Sequence, residues 1–301
     1  MAPNLETPER CNTDRELESG CCYDLAIGCV FQNEAPYLKE WIEFHKMVGV
    51  RHFVLVDDAS SDDYVSILQP YLDSGEVELV QRPCPDGLRG SGWPQYQCAV
   101  HAALVDHLRG VARWLGLVDI DEFIVPMSHA NVPDFLNEYE DYGGVYIRWE
   151  PFGTSHLAKL SPGELMTRQL ELKWRFRKGH QMLGKSIVKP HRVLHANIHQ
   201  CELLGGFPYF DSNPGMQNEM PLIKIHHYWS RDEAFLFTRK LPRTARIKGW
   251  EIDRERIEYF RLLFNDVPDR TMARFAPELH SRVFGLPMNT PMRHARTTGQ
   301  S

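Results

Sequence analysis

Four apolar runs, Leu25–Phe31, His52–Val56, Val77–Val80 and Trp114–Val118, are separated by stretches of helical periodicity, and this alternation constrains the fold more than any other feature of the chain. The first run is apolar throughout, which suits a strand buried on both faces. Glu34-Ala35-Pro36 then opens a helix with Leu38, Trp41, Ile42, His45 and Val48 on its apolar face and Gly49 at its end. After the second run, Ser60-Ser61-Asp62 caps a helix carrying Val65, Leu68, Tyr71 and Leu72, which Gly75 ends. A Pro/Gly-rich loop from Arg82 to Pro94 leads into a helix from Gln95 to Arg109 with Cys98, Ala102 and Val105 turned inward. Strands and helices at this spacing predict an α/β fold with a mostly parallel sheet, right-handed crossovers and ligands at the carboxyl ends of the strands.

Beyond Val125 the alternation fades. Gly144–Trp149, Ser186–Val188 and Leu222–Ile225 read as strands, Leu170–Phe176 as a strand or short helix, and 231–240 and 254–264 as helices. Residues 1–22 are polar and aperiodic, which predicts a flexible arm, and the tail 287–301 reads as disordered. With 301 residues, 43% hydrophobic and 25% charged, the chain can bury a sizeable core. A net charge of −6 provides no general field for nucleic acid. No apolar run reaches the roughly 18 residues of a membrane span, and the first residues lack the pattern of a signal peptide. The expectation is a soluble, cytoplasmic chain. Seven cysteines show no paired spacing, so a reducing compartment fits, with Cys29 and Cys98 as buried thiols and a Cys21–Cys84 bridge as the alternative.

Asp119-Ile120-Asp121 closes the fourth run. On a strand the two carboxylates point one way and Ile120 points back into the core. At about 5 Å they repel by roughly 3 kcal/mol at an effective dielectric of about 20, a cost that a divalent cation removes. Hard oxygen ligands suit Mg²⁺ or Mn²⁺, and such an ion completes its shell with phosphate oxygens. Two solvated acids in a turn are the plain alternative. Asn33-Glu34 and Asp57-Asp58 end the first two strands at the same sheet edge.

Four ordered motifs, Val30-Phe-Gln-Asn-Glu34, Leu38-x-Glu40-Trp41-x-x-Phe44-His45-x-x-x-Gly49-Val50, Asp57-Asp-Ala-Ser-Ser-Asp62 and Asp119-Ile-Asp-Glu-Phe123, resemble those of the metal-dependent GT-A glycosyltransferases related to families 2 and 92. Trp149-x-x-Phe152-Gly153, Lys185-Ser-Ile-Val-Lys-Pro190 with His199, and His227-Tyr228-Trp229 with Lys240 continue the resemblance. It implies a GT-A-like (Rossmann-like) transferase domain over 23–245, a C-terminal helical extension over 246–286 on the acceptor side, and a nucleotide-diphosphate sugar donor. It further implies Mn²⁺ or Mg²⁺ as cofactor, a glycan acceptor, inversion at the anomeric carbon, and UDP-galactose as the donor to expect.

Within that resemblance, Asp121 is the direct metal ligand, and Asp119 shares the metal with the ribose or a coordinated water. His227 is the third ligand, with His199 as its rival. Asn33, Glu34, Asp57 and Asp58 face the nucleotide; starting the first helix is the alternative for Asn33 and Glu34, and helix capping is the alternative for Asp57 and Asp58. Lys185 is the first choice to neutralise diphosphate, with Lys189 and Lys240 as alternatives and Arg82 and Arg89 in the preceding loop. Inversion needs a base at the acceptor hydroxyl; Asp211 is the choice, against Glu150, Glu202 and Glu219. Trp149, Phe152 and Trp229 offer faces to sugar rings. A sugar nucleotidyltransferase, which needs a Gly-rich phosphate loop that Val30–Glu34 lacks, and a catalytically silent carbohydrate-binding protein are the competing readings.

Overall fold

The computed structural model describes residues 20–286; the tail 287–301 and all but the last three residues of the arm lie outside the described residues. The first half alternates as expected: β1 (Tyr23–Phe31), α1 (Ala35–Met47), β2 (His52–Asp57), α2 (Tyr64–Asp73), β3 (Val77–Gln81), α3 (Trp93–Leu108) and β4 (Ala112–Leu117). The second half adds β5 (Glu122–Pro126), α4 (Val132–Asn137), β6 (Gly144–Pro151), α5 (Met166–Gln169), β7 (Leu172–Lys173), β8 (Gly184–Val188), β9 (Val193–His195), β10 (Glu202–Leu203), β11 (Tyr209–Asp211) and β12 (Ile223–His227). Helices α6 (Glu233–Phe235), α7 (Leu241–Lys248) and α8 (Arg254–Leu262), the short β13 (Val267–Pro268) and α9 (Ala276–Phe284) complete it.

Nine strands form one sheet in the order β3-β2-β1-β4-β8-β6-β12-β5, with β11 beside β6. Strands β1 to β4 pair in parallel, as do β6 and β12, whereas β8 runs antiparallel between β4 and β6 and β5 antiparallel to β12. This is the mostly parallel, helix-flanked sheet that the alternation predicts. The carboxyl ends of β1, β2, β4, β6 and β12 therefore meet along one edge.

Burial follows the run composition. Along β1, Leu25, Ile27, Cys29 and Phe31 enter the core beneath α1, while Ala26 and Val30 enter the one beneath α3. Gly28 makes the second approach close: a Cβ there would stand 2.9 Å from Leu104 Cδ1. Helix α9 packs on α1, with Phe275 against Phe44 at 5.2 Å between ring centroids and Arg282 3.5 Å from Glu43. Met272, Ala276, Leu279 and Val283 belong to the main core, so the C-terminal segment is built into the same core as the sheet.

Several local expectations need correction. Helix α3 starts two residues early at Trp93 and buries Gln97, Val100, His101 and Leu104, leaving Ala102 exposed and Cys98 only half-buried, because Gly28 sets the packing face. Val65 is exposed, since α2 packs through Leu68 and Tyr71. Asp62 does not cap α2; its Oδ2 accepts the Ala35 N–H at 2.9 Å and caps α1 instead. Residues 170–176 contribute only the two-residue β7, after the short α5. Helical structure expected over 231–240 begins at Glu233 and runs through a π-helical turn, Leu236–Lys240, into α7, across residue 245. Cys22, Cys29, Cys84, Cys98 and Cys201 are free thiols, so the alternative bridge to Cys84 is not formed. Among the described residues no helix is long and apolar enough to cross a membrane.

Candidate active site

The acidic motif sits in a turn between β4 and β5 and not on the strand itself. The Glu122 N–H reaches Asp119 O at 3.0 Å, and Glu122 Oε2 accepts the Asp119 N–H at 2.8 Å. Three neighbours pin this turn. Trp41 Nε1 donates to Glu122 O at 2.8 Å, Ile124 N donates to His45 Nε2 at 3.2 Å, and Tyr228 N donates to Asp121 O at 2.8 Å. The α1 residues Trp41 and His45 thus act by holding the strand that leaves the acidic turn. Glu40, from the same motif, accepts the N–H groups of Met166 and Thr167 and starts α5.

Asp119 and Asp121 both open into a cavity of about 220 Å³ at the carboxyl edge of β1 and β4; the turn, and not strand alternation, sets their directions, and Ile120, buried in the core at 3% exposure, lines the same cavity. Gln32, Glu34, Trp93, Gln97, Lys240 and Arg243 also line it. Asp119 accepts from Gln97 at 3.0 Å and from Lys185 at 2.8 Å. Burial alone would raise its carboxyl, but Lys185 holds it below the usual range. Asp121 lies 3.5 Å from His227 Nε2 and 2.7 Å from Lys240 Nζ, and these two hold it well below the usual range against burial. Burial, opposed by Asp121, keeps the His227 imidazole neutral to lower pH than usual, the form that ligates a metal. Glu122 is fully buried and pushed well up by burial, and its Oε1 has no hydrogen-bond partner.

Oxygens of Asp121 and Glu122 and a His227 nitrogen lie within 4.8 Å of one another. Two carboxylates and one imidazole, with a buried orphan oxygen and a lysine ammonium already drawn to Asp121, fit a divalent cation. His199 does not join them: its ring contacts Gly184 O at 3.1 Å and packs on Trp149.

The other expected residues divide clearly. Glu34 lines the cavity with Arg231 2.6 Å away, and that buried guanidinium lies over Tyr37 and Phe235. Asn33 has φ 55°, and its Oδ1 accepts the Ser61 N–H at 2.7 Å, which ties the ends of β1 and β2 together. Asp57 accepts from Ser60 N and Tyr64 Oη, and Asp58 from Cys84 N at 2.5 Å with Arg89 3.3 Å away. Asn33, Asp57 and Asp58 shape the edge without lining the cavity. Lys185 lies buried beneath Asp119, whereas Lys189 donates to Glu140 O and stacks over Trp114, away from the acidic turn. Asp211 is gripped by Arg148 through both oxygens and does not line the cavity. Glu150 is buried against Lys173 and Lys224, while Glu202 and Glu219 are exposed. Phe152 is core, packed on His226 and Tyr228.

Glu122, Gln97, Trp93 and Arg243 are site residues that sequence reasoning did not select. Glu122 and Gln97 had signals: one adjoins the acidic pair, and the other lies one turn into the helix that follows the loop. Arg243, stacked 4.2 Å over Trp93, could be placed only once α7 was seen to fold back across the edge.

Residues 27–207 match the model of Glycosyltransferase family 92. The chain belongs to glycosyltransferase family 92. It is 26% identical over 213 residues to a glycosyltransferase family 92 protein of Ricinus communis, covering 68% of this chain and 35% of that protein. To the galactan beta-1,4-galactosyltransferase GALS2 of Arabidopsis thaliana it is 26% identical over 192 residues, 60% of this chain and 36% of that one. The chain thus spans about a third of the length of these curated relatives. Among solved structures it is similar to S. aureus TarS, with TM-score 0.41, 11% identity, and 86% of this chain and 52% of that chain covered. The matched family 92 segment includes Glu34, Asp119, Asp121, Glu122 and Lys185; His227, Lys240 and Arg243 come from the chain beyond it.

Proposed function

We propose that this family 92 chain transfers a hexose from a nucleotide-diphosphate sugar to a glycan hydroxyl, with Mn²⁺ or Mg²⁺ bound by Asp121 and His227 beside Glu122. The observation that carries this reading is the convergence of Asp119 and Asp121 on one cavity, with His227 and Glu122 on the same ion-sized cluster. A bound divalent ion supplies Lewis-acid stabilisation of the diphosphate leaving group. The chain's own residues do the rest. Lys240, from the π-helical turn, and Arg243, from α7, present cations to phosphate oxygens, Asp119 faces a ribose hydroxyl, and Lys185 keeps Asp119 charged and oriented from below. Trp93 and Gln32 give the nucleoside an aromatic wall and an amide at the ends of α3 and β1.

UDP-galactose is the donor proposed first, from the sequence resemblance and from the activity named for GALS2. The test is a thermal-shift screen of UDP-, GDP- and dTDP-hexoses with Mn²⁺ and with chelator. One donor raises Tm by about 2–4 °C in Mn²⁺ and not in chelator. No shift with any donor, or equal shifts with chelator, would overturn the proposal.

A further inference from the structure

Two more cavities continue outward from the acidic one. The nearer, about 360 Å³, is walled by Trp149, His227, Trp229, Phe260 and Phe264, and it shares Trp229 with the acidic cavity. The farther, about 390 Å³, lies between Trp250 and Tyr259 and shares Phe260 with the nearer one. The rings form two groups that wall the nearer cavity together. Trp149 packs on His227 at 4.4 Å, Trp229 stacks on Phe260 at 5.5 Å with 24° between planes, and Phe260 meets Trp250 at 6.4 Å and Tyr259 at 5.3 Å.

Packing explains only the inner part of this run. Phe260, 7% exposed, centres a small cluster with Leu236 and Leu241 against which Trp229 packs. Trp250 and Tyr259 are 40% and 59% exposed, so the run ends in aromatic rings on the surface, with the Arg256 guanidinium 5.3 Å over the Trp250 ring. A contiguous apolar strip that starts at a polar reaction cavity and is fringed by charged side chains marks a ligand groove. Asp253, Glu255 and Arg256 supply that fringe at the outer cavity. Pyranose rings match such a surface, because their C–H faces lie on aromatic planes while their hydroxyls reach polar groups at the rim.

We infer that the run from Trp149 and Trp229 through Phe260 to Trp250 and Tyr259 is an acceptor track for an oligosaccharide of several pyranose units, whose reacting end lies beside His227. This rests on the transferase reading and names its acceptor class: a chain and not a lone sugar. The outer rings recognise units remote from the reacting hydroxyl, so affinity increases with chain length.

The experiment is calorimetric titration of the full chain, with Mn²⁺ and UDP present, against β-1,4-linked galacto-, gluco- and xylo-oligosaccharides of two to six units. At least one series gains tenfold or more in affinity from two units to six. In the double variant Trp250→Ala/Tyr259→Ala, six units bind no better than two, while the Mn²⁺-dependent UDP thermal shift stays as in the parent. No gain with length in any series, or hexamer affinity that survives the double substitution, overturns the track. Length-dependent binding without any Mn²⁺-dependent UDP shift overturns the transferase reading and leaves the track standing.

Discussion

Lys240 places its ammonium 2.7 Å from Asp121 Oδ2, while His227 Nε2 stands 3.5 Å from Oδ1 of the same carboxylate. The lysine is delivered by a π-helical turn, Leu236–Lys240, an irregularity that often marks functional sites. Its charge sits where a divalent ion would compete for the carboxylate. Lys240→Met therefore tightens binding of Mn²⁺ alone by about fivefold to tenfold and weakens binding of UDP to the Mn²⁺-loaded protein. Electron paramagnetic resonance titration of free Mn²⁺ checks the first effect and calorimetry the second. Unchanged Mn²⁺ affinity would mean that Lys240 does not compete for this carboxylate.

Beneath the site, Lys185 is 2.8 Å from Asp119 Oδ2 and 3.5 Å from Glu122 Oε2, and its side chain is 1% exposed. Burial would lower its pKa, but the two carboxylates raise it, so it stays charged. Lys185→Met leaves Asp119 without its counter-charge and costs about 3–5 kcal/mol, read from urea unfolding. Adding Asp119→Asn recovers part of the loss by removing the stranded charge. A single variant as stable as the parent would show that the pair carries no net stabilisation.

The first half of the fold was legible because β1 and β2 bury both faces, and a run such as Leu25–Phe31 has few other solutions. Asp119 and Asp121 were legible for the same reason, since they end such a run. Burial phases were harder. The inward face of α3 depends on Gly28 admitting Leu104, a contact between residues far apart in sequence. Asp62 looked like a cap for the helix that follows it, and nothing local shows that it caps α1 across the sheet edge. Asp211 was chosen by chain distance, and its pairing with Arg148 arises only when β11 lies beside β6. Lys240 and Arg243 reach the cavity because the π-helical turn and α7 return over it, which no short motif encodes.

His45 ties the acidic turn to pH. Its Nδ1 lies 2.9 Å from Trp41 O, and its Nε2 accepts the Ile124 N–H, which fixes the neutral ring with the proton on Nδ1. Burial lowers its pKa to about 3. The folded state thus binds fewer protons than the unfolded chain between pH 6.5 and about 3. Its contribution is complete above the unfolded pKa and is lost as pH falls toward the folded one, at up to ~1.4 kcal/mol per pH unit. His101, lowered to about 4 by burial, adds to the same slope. His45→Gln lowers stability at pH 7 and flattens the fall in Tm between pH 6.5 and 4.5. A variant with the parent's slope would exclude His45 as a source of the acid sensitivity.

The central claim is that Asp121 and His227 hold the ion that grips the donor diphosphate. Anomalous diffraction at the manganese edge, from a crystal soaked with Mn²⁺ and UDP, tests it most directly. The account predicts one strong peak bonded to Asp121 and His227, with the diphosphate on its open side beneath Lys240 and Arg243. Manganese and UDP bound together elsewhere, with Asp121 still paired to Lys240, would contradict it.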